Sequence, residues 1–230
     1  MGQFHDRSDA GRQLGEQLQN YRDGDALVLG LPRGGVKVAE QISLALGCDL
    51  DVIVSRKLRA PGQPELAIGA LAEGGNAVWN EELIADLGLE PHVRDQELAR
   101  VREELHGLCA EYRSVLEKAP ISGRDVILTD DGVATGATLR AALAAIADAD
   151  PRRLVVALPG GPRETLARIA SMGTVHDIIG LVSPNRLRAV GQLYDIFDQV
   201  NSGQMEAMLR NAARRRRAAT AGRLRQPTRK

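Results

Sequence analysis

Between Val126 and Leu139 the chain reads VILTDDGVATGATL. Two adjacent carboxylates, Asp130 and Asp131, are followed by the small-residue run Gly132-Val133-Ala134-Thr135-Gly136-Ala137-Thr138. Small residues let backbone amides approach a ligand closely, and the helix that opens here presents unpaired N–H groups at the positive end of its dipole. Thr135 and Thr138 add hydroxyl donors. Donors of this kind suit one phosphate, and the two acids, one loop away, can accept hydrogen bonds from sugar hydroxyls. An ordinary strand-turn-helix with an N-capping Asp needs neither the second acid nor this set of glycines and threonines.

Two further loops carry cations. Leu31-Pro32-Arg33-Gly34-Gly35 sets a guanidinium beside two glycines. A polyanion needs close amide approach, which glycine permits, and Arg33 can give a bidentate contact. Ser55-Arg56-Lys57 supplies a second basic pair. Rival motifs are missing: there is no G-x-x-x-x-G-K-[ST], no G-x-G-x-x-G after a strand and no G-x-S-x-G elbow.

The elements that must position these residues follow from periodicity. Asp6 to Tyr21 is predicted as an amphipathic helix with Leu14, Leu18 and Tyr21 on one face. Ala26–Leu29, Leu50–Val54, Val126–Leu128, Arg153–Leu158 and Val175–Val182 read as buried strands. Helices are expected over Val36–Leu46, Glu81–Leu87, His92–Leu116, from Leu139, and over Pro162–Met172. Leu66–Leu71 and Asn76–Trp79 read as a hairpin around Gly74-Gly75, whereas Arg56 to Pro64 is too irregular for regular structure. Tyr194 to Leu209 is expected as an irregular turn and a short helix. Strands alternating with helices give an α/β fold, a parallel sheet flanked by helices on both faces. Ligands of such sheets sit outside the carboxyl ends of the strands, where Leu31–Gly35, Ser55–Pro64, Asp130–Thr138 and Pro159–Gly161 all emerge.

Bulk properties set the frame. A chain of 230 residues with 43% hydrophobic and 26% charged residues is that of a globular protein with one main core. Cys48 and Cys109 show no metal spacing, and two free thiols in a reducing, cytoplasmic setting are expected. The N-terminus lacks the apolar stretch of a signal peptide, and no run reaches transmembrane length. The zero net charge hides an asymmetry. Arg214–Arg217, Arg223, Arg225, Arg229 and Lys230 are eight cations without an acid among them; removing them from the 30 basic residues leaves 22 against 30 acidic ones. Residues 210–230 read as a basic, disordered tail, the one part suited to nucleic acid.

At these residues the chain resembles the type I phosphoribosyltransferases: hydrophobic strand, two acids, small-residue turn, Thr-Gly, then Thr. FHDRSDAGRQL, GLPRGG, RKLRAPGQPELAIGA, DDGVATGAT and VGQLYDIFDQV extend the likeness to about Leu209, toward a subgroup whose acceptor is unassigned. The resemblance implies that fold over residues 1–209, with a small hood from residues 1–22 and 183–209 and a long helical insertion at about 80–118. It implies that Val133, Ala134, Thr135, Gly136, Ala137 and Thr138 hold the 5-phosphate of 5-phosphoribosyl diphosphate (PRPP), and that Asp130 and Asp131 hold the ribose hydroxyls. Arg33, Gly34, Gly35, Arg56 and Lys57 would hold pyrophosphate, with Arg33, Lys57, Asp130 and Asp131 as the catalytic set. Leu58 to Leu66 would be a mobile lid, with Glu65 a weak candidate for proton handling. Mg²⁺ is the implied cofactor, with no direct protein ligand, and a homodimer the expected assembly.

One departure bears on the acceptor. Hypoxanthine-type members carry an acid just before the Thr-Gly, where this chain has Ala134. Aromatics are only 3% of residues, and Trp79, Tyr194 and Phe197 are the candidates for a hood over the sugar. His5, His92, His106 and His176 share no spacing and read as surface or structural residues. Two functions follow: an Mg²⁺-dependent transfer of the phosphoribosyl group of PRPP to a nitrogenous, nucleobase-like acceptor, or a PRPP sensor whose Arg-rich tail binds nucleic acid.

Overall fold

The computed structural model describes residues 2–22 and 24–225. Five strands form one parallel sheet: β1 (Ala26–Gly30), β2 (Asp49–Val52), β6 (Asp125–Thr129), β7 (Arg153–Gly160) and β8 (Asp177–Val182), in the spatial order β2-β1-β6-β7-β8. A second, antiparallel sheet joins β3 (Ser55–Ala60), β4 (Gln63–Ala72) and β5 (Val78–Trp79). Around them lie α1 (Arg7–Gln17), α2 (Gly34–Leu46), α3 (Glu81–Asp86), α4 (Pro91–Arg113), α5 (Ala137–Ala147), α6 (Arg163–Ala170) and α7 (Ser202–Arg225).

The parallel strands are near-continuous apolar runs because both faces of the sheet are covered. Val28, Ile127 and Val155 point into one core with Val36, Ile42 and Leu14 of α1 and α2. Their neighbours Leu27, Leu29, Val126, Leu128, Leu154 and Val156 point the other way, against Leu139, Leu143 and Ile146 of α5. Alternation along each strand thus assigns the helices to opposite faces. Fully burying one such aliphatic side chain is worth about 1.5–3 kcal/mol.

Three segments differ from their sequence-based expectation. The Arg56–Pro64 stretch is no irregular loop: Ala60 pairs with Gln63 around Pro61-Gly62, Gly62 has φ +70°, and β3 and β4 form a hairpin with register shifts on either side of Arg59. Alternating burial at Leu58, Arg59 and Ala60 carries the strand signal, too short to stand out beside two prolines. The hairpin is pinned to α4, where Glu97 accepts from the Arg59 amide at 2.8 Å.

The second difference lies at Tyr194–Leu209, where the short helix is instead the start of the 24-residue α7. The third is the expected tail, since residues 210–225 continue that helix. Met205, Met208, Leu209 and Ala212, spaced as one helical face, are buried against the core. Arg216 donates to the Leu50 carbonyl at 2.7 Å and Arg215 to Ser43 Oγ at 3.1 Å. Long arginine stems covering apolar surface while their heads satisfy edge carbonyls is what an Arg-rich helix can do and a composition count cannot see. Residues 226–230 of that tail lie outside the described residues.

The segment before α1 pairs with the segment before α7. Gln3 and Phe4 donate their amides to the Leu193 carbonyl, Asp195 to that of Phe4 and Ile196 to that of His5. Among the described residues no helix is long and apolar enough to cross a membrane. Cys48 and Cys109 are both free thiols.

Candidate active site at the carboxyl ends of β1 and β6

Register brings the first two loops together. β1 and β6 are hydrogen-bonded neighbours with Gly30 opposite Thr129, so the turn Leu31–Gly35 leaves the sheet beside Asp130. The chain runs outward to β2 on one side of this pair and to β7 and β8 on the other. Strand order reverses here, which leaves a crevice between the two outgoing helices. The N-termini of α2 and α5 both open into it.

Gly34 and Gly35 are in van der Waals contact with the acids. A side chain on Gly34 would collide with the Asp131 carboxylate, and a Cβ on Gly35 would come 2.8 Å from Asp130 Cα. Gly136 stands before α5 with φ +77°, a conformation that L side chains rarely adopt. It turns the loop so that the amides of Ala134, Thr135 and Gly136 donate to no acceptor among the described residues. The hydroxyls of Thr135 and Thr138 are likewise without protein partners among those residues. The loop is braced from outside: the Val133 amide donates to the Gly160 carbonyl at 3.0 Å, and Thr165 Oγ1 to that of Ala134 at 2.9 Å.

Each acid has one carboxylate oxygen engaged and one open. Asp130 Oδ1 accepts from the Asp131 amide at 2.8 Å, and Asp131 Oδ2 from Arg7 Nε at 2.7 Å. Asp130 Oδ2 and Asp131 Oδ1 accept from no N–H donor among the described residues, and the two carboxyls lie close enough to bond each other when Asp130 is protonated. Burial, and after it the neighbouring Asp131, pushes the Asp130 carboxyl well above the usual carboxylate range.

Of the expected cations, Arg33 and Lys57 are exposed and unpaired among the described residues, while Arg56 Nε donates to Glu104 of α4 at 3.0 Å. A cavity of about 260 Å³ is lined by Pro32, Arg56, Lys57, Arg59, Asp130 and Thr138, with Glu104 at its wall. Arg33 faces a neighbouring recess of about 230 Å³ that it shares with Arg56. The larger cavity, about 560 Å³, lies between the end of α5 and the 118–122 turn and has none of the expected site residues in its walls.

The remaining candidates divide. Tyr194 Oη donates to the Asp131 carbonyl at 2.5 Å and stacks on Phe197, with ring centroids 5.2 Å apart, so both stand at the acid pair. Trp79 does not: it lies in β5 with the Arg94 guanidinium 4.6 Å over its ring. Glu65 is exposed on the hairpin strand β4. His176 Nδ1 accepts from the Leu154 amide at 3.1 Å, in a structural role.

Two residues escaped the sequence reading. Arg7 heads the buried stripe of α1, with Ala10, Gly11, Leu14 and Gly15 following it on the same face. A charge at the head of an apolar stripe demands a buried partner, and that was the available signal. Glu104 gave none, being one acid among many on a charged helix.

A family model described as phosphoribosyl transferase domain matches residues 3–171. Proteins of Mycobacterium tuberculosis strains H37Rv and CDC 1551, provisionally named phosphoribosyl transferases, are each 38% identical over 211 residues. The match covers 92% of this chain and 47% of theirs, so the chain spans about half the length of these curated relatives. The crystal structure of the protein TT1426 from Thermus thermophilus is similar at 40% identity with a TM-score of 0.78, over 92% of this chain and 99% of that one.

Proposed function

The chain belongs to the phosphoribosyl transferase domain family, and from this we propose that it transfers the 5-phosphoribosyl group of PRPP to a nitrogenous, nucleobase-like acceptor with release of pyrophosphate. One observation carries the reading: two carboxylates, each with one open oxygen, stand between a loop of unused amide and hydroxyl donors and the glycine turn. Three anionic or hydroxylated parts of one substrate match three adjoining surfaces.

The 5-phosphate would rest on the amides of residues 134–138 at the α5 N-terminus. Asp130 Oδ2 and Asp131 Oδ1 would accept from the ribose diol. The diphosphate would lie along Gly34 and Gly35, with Arg33 and Lys57 as the unpaired cations that meet the charge growing on it as the anomeric bond breaks. The carboxylates beside the sugar would meet the positive charge growing on the ribose. Losing one such preorganised group typically costs on the order of 10²–10³ in rate. Ala134 leaves no acid at the loop for a proton on the acceptor, so the reading favours an acceptor whose nucleophilic nitrogen needs none removed at that point.

The residues present fit Mg²⁺ arriving on the substrate. Among the described residues no group of three or more His, Cys, Asp or Glu side chains could hold a metal, and Mg²⁺ commonly binds through substrate phosphates and retained waters. When bound, it would neutralise the departing diphosphate. Asp130 and Asp131 would act on it through the ribose hydroxyls or through water.

Calorimetric titration with PRPP tests the reading. Binding is expected with Mg²⁺ and not without it, and is expected to vanish in Asp130→Ala/Asp131→Ala with the fold intact by circular dichroism. Wild-type protein that ignores millimolar PRPP in the presence of Mg²⁺ would end the proposal. The sensor alternative loses ground on one observation: Arg215 and Arg216, two of the tail's eight cations, are taken up in contacts within the protein.

A further inference from the structure

Arg7 is 7% exposed, yet its guanidinium reaches the acid pair. Its Nε donates to Asp131 Oδ2 at 2.7 Å and its Nη1 to the Asp198 carbonyl at 2.7 Å. The guanidinium lies 3.8 Å over the Phe197 ring, which stacks on Tyr194, and Tyr194 in turn donates to the Asp131 carbonyl. Asp131 is thereby held at its side chain by α1 and at its backbone by the segment that precedes α7. The arrangement leaves Asp131 Oδ1 as the oxygen facing away from the ion pair.

A planar guanidinium seated on a ring cannot follow a swinging carboxylate, so the pair fixes the direction of Asp131 as well as its partner. A buried ion pair of this kind adds little net stability over an apolar alternative, which makes a purely structural bolt a poor account of it. We propose that Arg7 is a positioning residue for recognition of the sugar diol: it turns Asp131 so that Oδ1 meets a ribose hydroxyl, and it ties that geometry to the paired segments 2–5 and 190–198. The proposal rests on the reading of residues 130–138 as the phosphorylated-pentose site.

The test compares ribose 5-phosphate with 2,3-dideoxyribose 5-phosphate, which shares the phosphate and lacks the diol. Affinities are measured by calorimetry on wild-type, Arg7→Gln, Arg7→Lys and Phe197→Ala proteins. In Arg7→Gln, affinity for ribose 5-phosphate is expected to fall about ten- to a hundredfold, the scale of a hydrogen bond to a charged group, while affinity for the dideoxy compound holds. Arg7→Lys, which returns the charge, is expected to recover most of the preference. Phe197→Ala removes the seat of the guanidinium without orphaning a charge and is expected to lower the preference about threefold, a fraction of that same bond. Should Arg7→Gln fail to fold, Phe197→Ala decides alone. Equal losses for both sugars, or an unchanged preference for the diol, would overturn the role of Arg7 and leave the pentose site standing. A wild-type protein that binds PRPP and ribose 5-phosphate no better than the diol-free sugar overturns the pentose site and this proposal together.

Discussion

Asp130 shows how a single residue can be costly to the fold and useful to the site. Burial, then Asp131, raises its carboxyl well above the ordinary range, so the folded chain holds that proton more tightly than the unfolded one. Ionising it in place therefore costs stability. The cost is absent below the unfolded carboxylate pKa of about 3.9 and grows as pH climbs through the raised folded value. Asp130→Asn is expected to melt higher than wild type at pH 8, with the difference vanishing near pH 4, while PRPP affinity collapses. Thermal scans at the two pH values check this, and an Asn variant that melts lower at both would contradict it. The residue was legible in the sequence because adjacent acids before a small-residue loop have few other uses. Its protonation was not, because burial is a property of what surrounds it.

Among the elements, α4 does two jobs that its charged, weakly patterned sequence concealed. Near its C-terminal end Arg113 donates to Asp51 Oδ1 at 2.6 Å and to both oxygens of Glu73, joining β2, the β4–β5 turn and α4 around a carboxylate that is 1% exposed. Desolvation raises the Asp51 carboxyl, and the Arg113 charge partly offsets it. Arg113→Met would take the nearest cation from both carboxylates, leaving the buried Asp51 only the Val52 and Ala119 amides as close donors and Glu73 only Lys118, and is expected to cost about 3 kcal/mol in urea unfolding. Earlier in the helix, Glu104 holds Arg56, and both side chains are partly exposed, so the pair is worth at most about 1 kcal/mol. Glu104→Gln is thus expected to leave stability almost unchanged and to tighten binding of inorganic pyrophosphate by freeing Arg56. Unaltered pyrophosphate affinity would show that Arg56 does not serve that site. The helix itself was readable from its three- and four-residue spacing; its partners lie about 40 to 60 positions away and were not.

At the scale of the whole molecule, the C-terminal helix is part of the fold. α7 buries Met205, Met208, Leu209 and Ala212 and caps the Leu50 carbonyl of the edge strand β2. Deleting residues 202–230 would expose that face, and truncating one such core side chain alone typically costs about 2–5 kcal/mol. The shortened protein is expected to melt lower and to aggregate, as read by differential scanning calorimetry and light scattering. A melting temperature unmoved by the deletion would restore the picture of a solvated appendage. Arg214 and Arg217 are exposed cations of that helix, and any nucleic-acid affinity through them should be lost steeply with salt.

The alternation of parallel strands and helices, the sheet's two covered faces and the small-residue loop before α5 were all determined by the sequence, because each is written in short-range patterns: apolar runs, caps, and glycines where the backbone must turn. The acid pair and the RGG turn could be matched to one crevice for the same reason, since loops leaving parallel strands emerge on one side. What only the tertiary structure decided is who faces whom. That Arg7 from the first helix would cap Asp131, that Glu104 would hold Arg56, and that an Arg-rich C-terminal segment would pack as a helix all depend on contacts between residues far apart in the chain. Those contacts are set by strand register and the burial it imposes, which no local spacing encodes.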